Sequence, residues 1–445
     1  MKPMRYQKQV VRQMEQFGGR VLCACDMGLG KTPMSLWFIG RNRPKSLPAV
    51  IVCPASVKYQ WQSEIQKVTG RQAFICEGIA PGLPVKEDLI VINYDILFHW
   101  LPVLKKLRPG TVVLDECHYC QNPKAKRTRA VRALCSKARY VIALSGTPML
   151  NRPIEMFPVL NILKSNVFRS RFKYALRYCN GKKNYWGWDF NGVSHSDELH
   201  ELLKSTCMVR RRKADVLKDL PNKIRQVVPI PLKNPEEYAQ AEKNYLEWLE
   251  ERDPEAAERA GRAEAVTRTS GLLKLAAQLK MKAAVDWLND WLRDTDEQLV
   301  VFAVHRGAVR MLAKRLDAKT ITIDGSVIGR KREAARLAFQ SGDARVLVGN
   351  VQAAGVGLNL TAASTVAFVQ LPWQPGAVVQ AEDRCHRIGQ QSTVWVHYLM
   401  ATGTVEENLA GIIQSKQETL SAVIDGRFNN EDLNVLDLLL KEMKR

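Results

Sequence analysis

The apolar residues of the first third fall in short β-rich runs: RVLCAC from position 20, PAVIVCP from 48, DLIVINY from 88, TVVLDE from 111 and YVIALSG from 140. Longer amphipathic stretches separate most of them. Near-continuous apolar runs alternating with helical segments predict a parallel sheet covered on both faces. From residue 152 to 290 the period turns helical and strand signals are few. The alternation returns with QLVVFAVH, TITIDGS, RVLVGN, TVAFVQLP and VWVHYLM between 298 and 400. The expected fold class is α/β: one parallel-sheet unit over 1–160, a mainly helical insertion and linker over 161–290, and a second parallel-sheet unit over 291–445.

Charge changes this picture. The chain has 66 Lys and Arg against 45 Asp and Glu, a formal net charge of +21, which favours a polyanionic partner, nucleic acid before an acidic membrane surface. Residues 123–139 and 164–183 each hold seven basic and no acidic side chains. The second run is interleaved with Phe168, Phe172, Tyr174 and Tyr178, and Trp186 and Trp188 follow it. Two readings stand for each run: a surface for a phosphate backbone, or a solvated helix face whose aromatics turn to the core. Residues 236–264, with ten acidic and four basic side chains, read as an exposed linker helix. The N-terminus lacks the apolar stretch of a signal peptide, and no apolar run is long enough to span a bilayer. An intracellular chain is expected, cytoplasmic in a bacterial or viral setting and nuclear in a eukaryotic one. Ten scattered Cys fit reduced thiols, mostly packed as small core hydrophobes.

Candidate chemistry begins after the first strand, at CDMGLGKTP. A glycine-rich turn between a buried strand and a helix lets backbone amides face phosphates, because Gly28 and Gly30 carry no Cβ. The helix start adds its positive end, Lys31 can reach the outer phosphates, and the Thr32 hydroxyl can ligate magnesium. The full phosphate-loop pattern wants Gly where this chain has Cys25. VVLDECHYC supplies partner carboxylates at a strand end: Asp115 to hold the metal and Glu116 to orient and deprotonate water. The alternative, a thiolate metal site from Cys117, His118 and Cys120 with Cys23 and Cys25, is the weaker reading, since no second ligand pair at fixed spacing follows.

With these residues in place the chain resembles the Swi/Snf-type DNA translocases of helicase superfamily two. DECH is similar to their DExH box, ALSGTPMLNRPIEMF to motif III, MRYQ to the Q motif and IVCPASVKYQWQSEI to motif Ia. VRRRKADVLKDLPNK resembles the basic segment after the first core, VFAVHRGAV motif IV, NVQAAGVGLNLTAAS motif V, LPWQP the following aromatic element and QAEDRCHRIGQ motif VI. Among branches it most resembles the annealing-helicase, HepA-related group. The resemblance implies two RecA-like domains that clamp ATP and magnesium. It places Gln7 at the adenine and the loop Asp26, Met27, Gly28, Leu29, Gly30, Lys31 and Thr32 around the phosphates. Metal ligation falls to Thr32 and Asp115, and coupling to His118, Ser145 and Thr147. Gln380 lines the cleft, Arg384 touches the γ phosphate and Arg387 acts as the arginine finger. Lys58, Asn359 and Trp373 become candidate DNA contacts, the alternatives being a solvated lysine for Lys58 and a core residue for Trp373. Departures from the family pattern are Cys25, Gln121, Asn350, Val351 and Ala354.

The function so implied is an ATP-driven motor on duplex or branched DNA, independent of sequence and expected to act as a monomer. A strand-separating helicase is a second reading, ranked lower because no wedge hairpin is evident in the sequence. The third is a DNA-binding scaffold with a vestigial ATP site.

Overall fold

Each of the ten apolar runs contains a strand. In the computed structural model, which describes residues 2–81, 88–149, 152–184, 187–244, 264–355, 357–407, 409–411, 413 and 423–425, the strands are β1 (Arg20–Cys23), β2 (Ala49–Cys53), β3 (Phe74–Ile75), β4 (Leu89–Asn93), β5 (Thr111–Asp115), β6 (Tyr140–Leu144), β7 (Lys182–Asn184), β8 (Gly187–Asp189), β9 (Met208–Val209), β10 (Lys223–Ile230), β11 (Leu299–Ala303), β12 (Thr320–Ile323), β13 (Val346–Asn350), β14 (Thr365–Phe368) and β15 (Val394–Ala401). They form a parallel sheet in the order β3-β4-β2-β5-β6-β1-β9, a second parallel sheet in the order β10-β15-β14-β11-β13-β12, and the antiparallel hairpin β7-β8.

Both large sheets are buried on their two faces, as continuous apolar strands require. In the first, Leu22, Val50 and Val52 point into one core with Trp100, Leu134, Leu160 and Leu203, while Val21, Cys23, Ala49 and Ile51 point into the other with Val10, Met14, Phe38 and Trp61. In the second, Val300, Phe302 and Leu347 face one core, and Leu299, Val301 and Val348 the other. Each fully buried Val, Leu or Ile contributes about 1.5–3 kcal/mol, so the strands are held chiefly by these layers.

The same alternation disposes of the thiolate metal site. Cys117 and Cys120 lie in the core on one face of the first sheet and Cys23 and Cys25 in the core on the opposite face. The sheet itself separates the two pairs, and all four are packing residues.

The segment 161–290, expected as an insertion, is divided between the two sheets. Helices Phe157–Leu163, Arg171–Tyr178 and Ser196–Thr206 bury Leu160, Tyr174 and Leu203 in the first lobe, and β9 extends its sheet beside β1. β10 joins the second sheet beside β15. The boundaries at 160 and 290 therefore do not mark where the sheets divide; that division falls between β9 and β10. Helices Pro235–Lys243 and Glu264–Asp294 flank the acidic stretch, whose residues 245–263 lie outside the described residues, as does Trp186. Val423 and Ile424, far along the chain, pack into the first lobe's core, and His200 Nδ1 donates to Val423 O at 3.2 Å. Among the described residues no helix is long and apolar enough to cross a membrane.

Candidate active site

Parallel strands put their carboxyl ends on one edge, and the loops from those ends carry the candidate chemistry. The loop after β1 turns through Gly28 (φ +81°) and Gly30 (φ +78°), a backbone conformation that glycine adopts without strain. A Cβ on Gly28 would lie 2.6 Å from Arg387 Cβ, and one on Gly30 the same distance from Gln7 Nε2. Helix Lys31–Arg41 starts directly from this turn. Lys31 Nζ donates to Cys25 O (2.9 Å) and Asp26 O (3.2 Å). Gln7, expected at a base, holds the loop from outside: its Nε2 donates to Leu29 O at 3.1 Å, beside Tyr6 Oη at 3.0 Å from the same oxygen, while its Oε1 accepts from Met4 N.

Asp26, expected in the loop around the phosphates, has partners of its own within the protein. Its carboxylate accepts from Arg210 Nη1 at 2.6 Å and from Lys213 N at 2.8 Å, tying the loop to the chain after β9. Arg210 also pairs with Asp425, and Lys213 Nζ meets Asp383 Oδ2 at 2.8 Å and donates to His386 O at 2.6 Å. The basic segment VRRRKADV thus braces the loop against the second lobe, a role that its charge alone did not reveal.

At the end of β5, Asp115 Oδ2 accepts from Trp61 Nε1 at 2.7 Å and Oδ1 from Glu116 N at 3.1 Å. Glu116 has φ +49° and ψ +57°, a strained setting for a side chain with a Cβ and one found preferentially at functional positions. Its Oε2 accepts from Ser145 Oγ at 3.4 Å and lies 3.4 Å from His118 Nδ1. Burial, then the charge of Glu116, raises Asp115 to about 6, and burial raises Glu116 while Lys31 and Arg384 oppose it. Burial also lowers His118 to about 4, leaving the imidazole neutral at neutral pH. Ser145 Oγ further accepts from Thr147 N at 3.2 Å. Thr32 sits one residue into the helix, half-buried at the loop.

Helix Pro375–Glu382 and the loop after it bring the second lobe to this edge. Gln380 Nε2 donates to Thr147 Oγ1 at 2.8 Å. Arg384 Nη2 donates to Met27 Sδ at 3.4 Å and its Nη1 to Leu358 O at 3.4 Å, while Arg387 Nη1 donates to the same Leu358 O at 3.0 Å. Burial lowers both guanidiniums, Arg387 to about 10 with Arg384 adding to the effect; Glu116 and Asp115 act on Arg384 in the other direction. Lys31, Asp115, Glu116, Arg384 and Arg387, more than 350 residues apart at the extremes, lie close enough for the charge of each to act on another of the set.

The SNF2-related domain matches residues 6–284, well over half the chain, and the helicase conserved C-terminal domain matches residues 280–389. The chain belongs to the SNF2-related family. It is 33% identical over 433 residues to the SWI/SNF-related matrix-associated actin-dependent regulator of chromatin subfamily A-like protein 1 homolog of Caenorhabditis elegans, covering 94% of this chain and 61% of that one. To the DNA annealing helicase and endonuclease ZRANB3 of Bos taurus it is 34% identical over 445 residues, 96% of this chain and 41% of that one. The chain therefore spans less than two thirds of the length of each of these relatives. Among solved structures, the Sulfolobus solfataricus SWI2/SNF2 ATPase core in complex with dsDNA aligns over all of this chain and 96% of that one, at 23% identity and a TM-score of 0.45.

In this SNF2-related chain the three candidate DNA contacts have different surroundings. Lys58 Nζ donates to Cys76 O at 3.0 Å, so its ammonium is already engaged within the first lobe. Asn359 Oδ1 is buried without a hydrogen-bond partner, in the loop that supplies Leu358 O. Trp373 is 42% exposed at the mouth of a cavity lined by Lys280, His305, Gln370 and Glu406, so it is not a core residue. Asn350, one of the departures in motif V, caps helix Val351–Ala354 by accepting from Gln352 N and Ala353 N. Of the aromatics in and just after the second basic run, Phe168, Tyr174 and Tyr178 are core residues, whereas Phe172 and Trp188 are exposed. The basic face of helix Lys126–Cys135 is exposed opposite Thr128, Val131 and Leu134.

Proposed function

We propose that the chain is a DNA-stimulated ATPase that moves along or remodels duplex or branched DNA without reading its sequence, working as a monomer on intracellular DNA. Its lobes divide between β9 and β10. The observation that carries this reading is the meeting of Arg384 with Met27 of the glycine loop, beside the carboxylates of Asp115 and Glu116. A triphosphate in that cleft meets loop amides and Lys31 from one lobe and guanidiniums from the other.

The residues suit magnesium. Thr32 and Asp115 offer hard oxygen donors of the kind it prefers, and two neighbouring carboxylates raised by burial form a place where a cation is favoured. When bound, the ion neutralises charge on the phosphate oxygens. Lys31 leaves the carbonyls of Cys25 and Asp26 for phosphate. Glu116, oriented by Ser145 and His118, positions water and takes its proton. Arg387, brought to Gly28 by closure of the lobes, stabilises charge developing on the transferred group as an arginine finger does. Gln7 fixes the loop through Leu29 and in that position also borders a base.

Closure with ATP and opening with ADP then becomes stepping, each lobe gripping phosphates in turn. Lys58, Asn359 and Trp373 are the proposed grips, with non-specific, salt-dependent affinity. ATPase rates with duplex, forked, four-way and single-stranded DNA, and with RNA, compared across salt, test the reading. If no form of DNA raises the rate at low salt, it is wrong.

Strand separation gains one observation. A hairpin not evident from the sequence, β7-β8, stands on the first lobe with Trp188 exposed. A fluorophore-quencher duplex that opens only with ATP would favour that reading over translocation alone.

A further inference from the structure

The second basic run carries a feature that the motor does not use. Helix Arg171–Tyr178 buries Tyr174, Ala175 and Tyr178 and presents Phe172 outward, 46% exposed. The hairpin lays Trp188, 44% exposed, and Phe190 against it. Phe172 meets Trp188 edge-on with centroids 5.1 Å apart and Phe190 likewise at 5.8 Å, while Trp188 and Phe190 lie 2° from parallel at 6.0 Å. Trp188 and Phe190 are two residues apart and so share a face, which Phe172 completes. Cohesion of the hairpin alone would bury these rings; here two of the three keep nearly half their surface in water, an unusual exposure for large apolar groups in a cluster.

What surrounds them chooses the occupant. Arg169, Arg171, Lys173, Lys182 and Lys183 are all exposed in this stretch, although Lys182 is the register partner of Asp189 and so belongs to the other face of the hairpin. Between residues 164 and 196 the sole acid is Asp189. Lys183 is the register partner of Trp188, which sets a cation directly across the strand from the ring. Exposed π-faces among cations suit unpaired bases on a phosphate backbone, since every base has a stacking face and the phosphates answer the lysines. An acidic peptide would satisfy the charge but makes no use of parallel rings.

We infer that Phe172, Trp188 and Phe190, with Lys183 across the strand from Trp188, form a stacking platform for the unpaired bases of single-stranded nucleic acid. The platform is separate from the ATP cleft. In taking DNA as the substrate in the cell it rests on the function proposed above, but its binding chemistry does not.

The test is binding of a short labelled oligothymidylate to the full chain without ATP, by fluorescence anisotropy, alongside duplex-stimulated ATPase. Trp188→Ala and Phe172→Ala each weaken oligothymidylate binding roughly tenfold or more, the loss expected for one stacked base. Trp188→Phe restores most of it, and Lys183→Gln lowers the salt dependence. Thermal melting and duplex-stimulated ATPase stay at the wild-type level. Oligothymidylate binding unchanged in Trp188→Ala overturns the platform, and so does a wild-type chain that ignores the oligonucleotide, which would leave the surface to a protein partner. Absence of stimulation by any DNA bears instead on the motor, and leaves the binding comparison to decide the platform.

Discussion

Gln380 of the second lobe donates to Thr147 Oγ1 of the first at 2.8 Å. Thr147 N in turn donates to Ser145 Oγ, which reaches Glu116 Oε2. A side chain on one lobe is thereby joined through two residues, Thr147 and Ser145, to the proposed base on the other. Replacing either end breaks one hydrogen bond worth about 0.5–1.5 kcal/mol, so Gln380→Ala and Thr147→Val each lower DNA-stimulated turnover several-fold. The double variant is expected to be little worse than either single one, because both remove one contact. Additive losses in steady-state kinetics would separate the two residues.

Glu116, Lys31 and Arg387 divide binding from chemistry. Lys31→Ala abolishes hydrolysis, whereas Glu116→Gln still binds ATP and stays closed on DNA. Arg387→Ala lowers kcat by about a thousandfold with nucleotide affinity nearly unchanged, because a finger acts on charge present mainly in the transition state. Stopped-flow binding of a fluorescent ATP analogue beside single-turnover hydrolysis checks all three. An equal fall in affinity for Arg387→Ala contradicts its role, and retained biological activity in Glu116→Gln would revive the scaffold reading.

Gly28 reports on closure. Its φ of +81° disfavours any side chain by about 1–2 kcal/mol, and a Cβ would sit 2.6 Å from Arg387 Cβ. Gly28→Ala is therefore expected to lower kcat at least tenfold while the melting temperature falls by only a few degrees. Normal turnover in this variant would mean that the working closed state holds Arg387 farther from the loop.

Glu382 anchors the helix that carries Gln380. It is fully buried and meets Lys223 Nζ at 2.8 Å, Arg225 Nη2 at 2.9 Å and the Tyr398 hydroxyl. Burial pushes its carboxyl up, but Arg225 and Lys223 together outweigh that and hold it at about 2. A carboxyl depressed in the folded state stabilises above its unfolded value of 4.5, and the contribution disappears as pH falls towards about 2. Glu382→Gln removes the carboxylate charge that Arg225 and Lys223 share, while Lys223 keeps Asp383 Oδ1 at 3.2 Å, and costs about 1.5–3 kcal/mol at neutral pH. Urea denaturation should show the gap between wild type and Glu382→Gln closing from pH 5 to pH 2; a constant gap would place the effect in packing instead.

Much of the fold was legible in local pattern. The ten apolar runs became strands because continuous apolar stretches can satisfy both faces only inside a covered parallel sheet. β10 was not legible: KIRQVVPI mixes charge and Pro229 into its run, and those charges belong on an edge strand where Lys223 and Arg225 reach Glu382. β9, with two residues, is too short to carry a period.

By itself the sequence determined the glycine turn, the paired carboxylates at a strand end and the arginine pair, since each is fixed by neighbours a few positions away along the chain. Only the tertiary structure decided that Asp26 faces Arg210 and Lys213, that Trp61 holds Asp115, and that the two cysteine pairs lie on opposite faces of a sheet. These relations join segments distant in sequence, and the packing of two separately built sheets sets them; no local period of hydrophobic and polar residues encodes the partner of a side chain across that distance.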